Sequence, residues 1–246
     1  MSNRLTATAL GIVLAFGTGI AMAADNATIY QNGSGNDSTI EQFYSSNTDA
    51  TITTYGSYNT NVVHQEDTNN TSATVLTNWA NSNDNTIDQN DVNNSSANVY
   101  QTASGGKTYI SQSGSGYGWF STPGDNLVAS ISQTGWGWGN DATIKQTGNN
   151  DNGTLNQSGV DNTGVILQNG SNGGGWYGPS TWITAEMYQT GYNNDGYISQ
   201  DGKALWAKMS QSGVGNVATI TQTGHNLNSQ VTQIGNYNTA SVTQRN

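Results

Sequence analysis

The stretch Ala218-Thr219-Ile220-Thr221-Gln222-Thr223-Gly224 puts a small residue, an aliphatic and a glutamine at alternate positions and closes on glycine. A spacing of two is the strand period, so Ala218, Ile220 and Gln222 share one face of a short β-strand and the threonines point the other way. A single strand with one inward aliphatic side chain cannot bury enough surface to hold itself. It needs neighbours above, below and opposite.

Working outward, the same triplet recurs along the chain. Glutamine stands at Gln31, Gln42, Gln65, Gln89, Gln101, Gln112, Gln133, Gln146, Gln157, Gln168, Gln189, Gln200, Gln211, Gln222, Gln233 and Gln244, and Thr54 and Thr77 fill two further positions. That makes eighteen units, most spaced by 11 or 12 residues, with one gap of 13 and two of 21. Two residues before each comes an aliphatic or Met side chain: Ile29, Ile40, Ile52, Val63, Val75, Ile87, Val99, Ile110, Ile131, Ile144, Leu155, Ile166, Met187, Ile198, Met209, Ile220, Val231 and Val242. Four residues before, the side chain is small except at Asn61 and Asn85. Gly follows two residues after the Gln position in twelve of the eighteen units, and Asn recurs three residues later, as in Asn36, Asn59, Asn70, Asn162 and Asn216. Both residues tolerate positive φ, so each unit is expected to end in a tight turn.

Two successive units joined by a turn can face each other across a thin core, and the next pair can lie on top with about 4.8 Å between strands. The expected fold is all-β, a cross-β-like β-solenoid of stacked strand-turn-strand rungs, with about nine rungs from eighteen repeat units and a length of roughly 43 Å. In it odd units stack on odd and even on even, so the glutamines form ladders in which each amide bonds to the copies above and below. The odd ladder is expected to be weakest at Thr54 and Thr77.

Composition agrees with a repetitive exported chain. Only 9% of the 246 residues are charged and 33% apolar, there is no Cys to form a disulfide framework, and the formal net charge is −10. Arg4, an apolar run from about Leu10 to Ile20 and Ala21-Met22-Ala23 read as a secretory signal peptide over residues 1–23, cleaved between Ala23 and Ala24. Residues 24–246 then form the repeat domain. Few basic residues remain to contact phosphates, which argues against nucleic acid as a partner.

The first unit begins at Ala27 and the last ends at Gln244, both in register with the repeat and without an atypical capping unit, so another copy can continue the ladders head to tail into an open filament. Nine of the sixteen acidic residues lie between Asp25 and Asp91, and none follows Asp201, whereas Lys203, Lys208 and Arg245 lie in the tail. That asymmetry either favours head-to-tail contact or serves solubility alone.

The 21-residue gaps hold insertions near 115–128 and 171–184, both leaving the same edge of the solenoid. With Pro123 and Pro179 they carry Trp119, Phe120, Trp176, Tyr177 and Trp182, and Trp206 lies in a later turn on that edge. Such aromatics form either a contact edge for a sugar polymer or neighbouring filament, or loops folded back over their own rungs. Catalytic and metal-binding groups are scarce. His64 and His225 are isolated, Glu66-Asp67 is the only adjacent acidic pair, and no Gly-rich segment opens a helix beside a Lys. Neither an enzyme nor a cofactor or metal site is expected.

These units resemble the curlin repeat, whose order is a small residue, an aliphatic, Gln, Gly and Asn; Ala218 to Gly224 and Ala142-Thr143-Ile144-Lys145-Gln146-Thr147-Gly148-Asn149-Asn150 are close matches. The resemblance implies a subunit of curli-like amyloid fibres, a fimbrium on the surface of a Gram-negative bacterium, exported through the periplasm and an outer-membrane pore and serving biofilm matrix and adhesion. The implied partners are further copies of the chain, a nucleating subunit, the export machinery and matrix polysaccharide. The chain departs from the family in its larger number of units, its short leader and its insertions. Two alternatives stand beside the major fibre subunit. One is the minor nucleating subunit, which the ending Val242-Thr243-Gln244-Arg245 slightly resembles; the other is a monomeric secreted solenoid that binds ice or carbohydrate.

Overall fold

A computed structural model describes residues 25–114, 124–135, 137–170 and 182–246. The expected signal peptide and its cleavage site, and the insertion residues Trp119, Phe120, Trp176 and Tyr177, lie outside the described residues.

Twenty strands follow one another. They are β1 (Asn26–Asn32), β2 (Asp37–Phe43), β3 (Asp49–Tyr55), β4 (Thr60–Glu66), β5 (Ser72–Thr77), β6 (Asp84–Asn90), β7 (Val92–Asn93), β8 (Ser96–Gln101), β9 (Lys107–Ser113) and β10 (Gly124–Asp125). Then come β11 (Val128–Thr134), β12 (Asp141–Gly148), β13 (Asp151–Val160), β14 (Thr163–Gly170), β15 (Ile183–Tyr192), β16 (Asp195–Lys203), β17 (Trp206–Val214), β18 (Val217–His225), β19 (Asn228–Asn236) and β20 (Thr239–Arg245). No helix occurs among the described residues. Two nine-stranded parallel sheets form, in the orders β1-β3-β5-β8-β11-β13-β15-β17-β19 and β2-β4-β6-β9-β12-β14-β16-β18-β20. They hold the odd and the even units respectively, so the chain is a β-solenoid of nine rungs. The short strands β7 and β10 pair with each other in the turns that follow even units, an element the repeat does not announce.

Register is kept at every step. Ile29 pairs with Ile52, Ile131 with Leu155 and Met187 with Met209 in the odd sheet; Ile40 pairs with Val63 and Ile198 with Ile220 in the even one. Because a one-residue slip would turn the aliphatic row outward, the pattern itself fixes this alignment. The aliphatic residues from Ile40 to Val231 are buried, whereas Ile29 and Val242, in the two end rungs, are only partly covered.

The turns differ from expectation in one respect. On the first edge, where an odd unit passes to an even one, the recurrent asparagines Asn59, Asn162, Asn194 and Asn216 do not adopt positive φ; they are buried, and the residue before each takes the left-handed conformation (Tyr58, Asp161, Asn193, Gly215). On the second edge Asn47, Asn70, Asn94, Asn126 and Asn150 do take positive φ. The glycine two residues after the Gln position has a further reason to be there. At Gly191 (φ 116°) an added Cβ would collide with the carbonyl oxygen of Gly213 one rung on, so the stacking distance itself excludes a side chain.

Candidate functional site

Thirteen of the sixteen glutamines at the repeat position, from Gln65 to Gln233, are buried, and the remaining three belong to the end rungs. In the even sheet the ladder is unbroken. Each Nε2 donates to the Oε1 one rung further on: Gln42 to Gln65 at 2.8 Å, Gln65 to Gln89 at 2.8 Å, Gln89 to Gln112 at 2.7 Å and Gln112 to Gln146 at 2.9 Å. It continues from Gln146 to Gln168 at 2.9 Å, Gln168 to Gln200 at 3.1 Å, Gln200 to Gln222 at 2.9 Å and Gln222 to Gln244 at 2.8 Å. The odd ladder runs the same way from Gln101 through Gln133, Gln157, Gln189 and Gln211 to Gln233.

The amides do more than the sequence announces. The second hydrogen of Nε2 crosses the core to a backbone carbonyl of the facing sheet or its turn, as in Gln200 to Thr184 O at 3.1 Å and Gln211 to Asp195 O at 2.9 Å. Glutamines such as Gln200 and Gln211 thus stitch rung to rung and sheet to sheet. Buried amides that satisfy their donors in this way are stabilising, whereas leaving one unpaired costs about 1–3 kcal/mol.

The expected weak patch is differently built. Where Thr54 and Thr77 replace glutamine in the odd sheet, the facing even strand carries Asn61 and Asn85 in place of a small residue. Asn61 Nδ2 donates to Thr54 Oγ1 at 2.9 Å and Asn85 Nδ2 to Thr77 Oγ1 at 3.3 Å. Asn85 Nδ2 also donates to Asn61 Oδ1 at 2.9 Å, and Thr108 Oγ1 to Asn85 Oδ1 at 2.7 Å. The long amide has moved to the opposite sheet within the same rung, keeping both core volume and a polar ladder. The clue was present in the sequence, since the two exceptions to the Gln rule and the two to the small-residue rule fall in the same pairs of units. The switch leaves one mark. Gln101 Oε1, which would accept from a glutamine at position 77, is buried without a partner.

A third ladder lines the first edge. The backbone N–H of Asn162 donates to Asn140 Oδ1 at 3.0 Å, that of Asn194 to Asn162 Oδ1 at 3.1 Å, that of Asn216 to Asn194 Oδ1 at 3.2 Å and that of Asn238 to Asn216 Oδ1 at 3.1 Å. Its direction opposes that of the glutamines, because here the later rung donates to the earlier. Gly106 interrupts it, since a Cβ there would strike the Gln101–Gln133 amide bond, and Asn83 Nδ2 is left unpaired.

On the second edge, Leu127, Asp151, Ile183 and Leu205 are buried in succession. Asp151 is thus a lone carboxylate in an apolar column. Gly170 N–H donates to its Oδ2 at 3.3 Å, and burial pushes its carboxyl up from 3.8 to about 8.

Of the expected aromatic edge, Trp182 is exposed, whereas Trp206, expected in a turn, is half-buried as the first residue of β17, paired with Thr184 and Asn228. The first edge carries aromatics the repeat reading missed. Tyr30 packs against Tyr55 at 5.5 Å, Tyr55 stacks on Trp79 at 6.2 Å, and Trp138 stands out further along. His64 contacts Asp88 and Glu66 on the outer face, and His225, expected in a turn, is exposed as the last residue of β18.

Compared with known families, residues 24–56, 207–235 and 215–245 match the curlin associated repeat. No curated protein matches the chain. The matches cover strands at both ends of the solenoid, and the rungs between them keep the same register and, apart from Asn61, Thr77 and Asn85, the same core triplet. Both ends of the solenoid thus match curlin associated repeats, a likeness that supports the curlin repeat family for this chain.

Proposed function

We propose that the protein is a structural subunit, of the major-fibre type, which assembles head to tail into extracellular curli-like amyloid fibres for biofilm matrix and surface adhesion. The observation that carries this reading is the polarity of the ladders. At the head, Gln31 and Gln42 offer Oε1 acceptors with no glutamine before them; at the tail, Gln244 Nε2 bonds to Asn228 O at 3.0 Å and keeps a second hydrogen for the next rung. The asparagine ladder is complementary, with donors on Asn36 and an acceptor on Asn238 Oδ1. Each end therefore presents donors where the other presents acceptors.

The terminal strands also suit continuation. Ala27, Ile29, Ala240 and Val242 are partly buried, while their counterparts in inner rungs are fully covered, so docking of tail on head would bury the remaining apolar surface. Acidic residues at the head, among them Asp25 and Glu41, are opposite in charge to Arg245 at the tail, which favours such a contact. In this reading residues 1–23 direct export to the periplasm of a Gram-negative cell, the outer-membrane export machinery releases the chain, a nucleating subunit starts the fibre, and matrix polysaccharide is a neighbour. The chain acts as building material, with no catalytic role.

The test is to incubate purified residues 24–246 and follow thioflavin fluorescence and fibre diffraction. Fibres with a meridional reflection near 4.7–4.8 Å are expected. A chain that stays monomeric for days without that reflection overturns the reading and leaves a monomeric solenoid.

A further inference from the structure

We propose that a groove on the first edge, between Trp79 and Trp138, binds a neutral β-linked polysaccharide lying along the stacking axis. The site belongs to the single solenoid and stands or falls independently of fibre growth.

Trp79 is the first reason. It is 80% exposed and adopts φ 56°, a left-handed conformation that a bulky residue takes only at a cost. It stands two residues after Thr77, where other odd units such as those of Gly33, Gly56 and Gly135 carry glycine. An indole there serves neither the turn nor the core. Tyr55, stacked beside it, holds the ring in place. Trp138 is the second. It is 58% exposed, and it lies against Gly105, where a Cβ would come within 2.9 Å of its ring, so Gly105 is what lets the indole settle on the backbone.

Between the two indoles is a groove of about 470 Å³ whose lining includes Asn78, Thr102, Ser104 and Gly137 and, among the described residues, no charged one. Trp79 follows the third odd unit and Trp138 the fifth, so they are two rungs, about 10 Å, apart along the axis. That is the span of two pyranose rings in an extended chain. Aromatic faces with nearby carboxamide and hydroxyl groups suit the apolar C–H faces and equatorial hydroxyls of such rings. The absence of cations among these residues disfavours an acidic polymer or a nucleic acid, which need Lys or Arg. Tyr30 and Tyr55 extend the aromatic row from Trp79 toward the head, so a longer glycan can run on past the groove.

The experiment measures co-sedimentation of the purified chain with insoluble cellulose and chitin, with granular starch as the α-linked comparison. Trp79→Gly, the residue of neighbouring units, and Trp138→Ala are the site variants; Trp182→Ala, on the other edge, is the control. Circular dichroism verifies that each keeps its strand content. The expected result is binding to at least one β-linked polymer that falls about tenfold in either site variant, with the control unchanged. Soluble oligosaccharides should bind more tightly with length until both indoles are spanned. Binding to neither β-linked polymer, preference for starch, or equal loss in the Trp182 control overturns the proposal.

Discussion

The rungs built from β3 to β6 and those built from β15 to β20 solve the same packing problem with different residues. In the second group every strand contributes Gln and a small partner, and both amide ladders run unbroken to Gln233 and Gln244. In the first the odd sheet has Thr54 and Thr77, and the even sheet answers with Asn61 and Asn85. What is conserved between the regions is the content of a rung, one long amide and its partner across the core, rather than the content of a column. A column-only reading of the repeat expects a defect; the rung shows an exchange.

The largest effect is expected from breaking the uniform region. Gln200→Ala removes the bonds to Gln168, Gln222 and Thr184 O, leaves the Oε1 of Gln222 without its donor, and opens a cavity. A loss of about 3 kcal/mol is expected in the denaturation midpoint of freshly purified monomer. Next comes the exchanged region. Thr54→Gln alone should overpack against Asn61, and Asn61→Ser alone should remove the bonds to Thr54 and Asn85, each costing about 1–3 kcal/mol. The double variant should regain most of that, so that a double-mutant cycle returns a coupling of about 1–3 kcal/mol. Additive costs would mean that the two exceptions are unrelated.

Between these regions sits Asp151. Its carboxyl holds a proton in the folded chain that the unfolded chain releases above 3.8, so unfolding sheds a proton and stability falls as pH rises from about 4 to about 8, levelling beyond. Asp91, raised by partial burial and by Asp67, adds a change of the same sign. Asp151→Asn should flatten the slope across that window and stabilise the chain at pH 8 more than at pH 4. A slope unaltered by the substitution would place its origin elsewhere. Smallest of all is the outer face. Lys208 meets Glu186 at 3.2 Å and lies over Tyr188, yet both charges are partly solvated, and Glu186→Gln should shift the midpoint by less than about 0.5 kcal/mol.

Most of the architecture was legible because a stacked strand leaves little choice. The inward triplet, its period and its direction follow from residues such as Ile220 and Gln222, and the register follows from the cost of turning them outward. The turns were less legible. Asn47 and Asn216 look alike in the repeat, but one supplies positive φ at the surface and the other a buried ladder, and only the neighbour at positive φ, Gly215 in one case, separates them. Asp151 and Trp79 were missed for a related reason. Each occupies a turn position where a repeat-based reading averages over its neighbours, and the information lies in its departure from Leu127 and Ile183, or from Gly56 and Gly135.

The claim that the ladders continue from molecule to molecule has a direct test, made clean by the absence of native cysteine. Ser241 on β20 and Thr39 on β2 occupy the same outward position of their units, three residues before Gln244 and Gln42. In a head-to-tail fibre in register they become neighbours about 4.8 Å apart, within reach of a disulfide. Fibres grown from a mixture of the Thr39→Cys and Ser241→Cys variants and then oxidised are predicted to yield dimers linked 39 to 241. Fibres whose cross-links join like positions, or that yield none, would contradict the account.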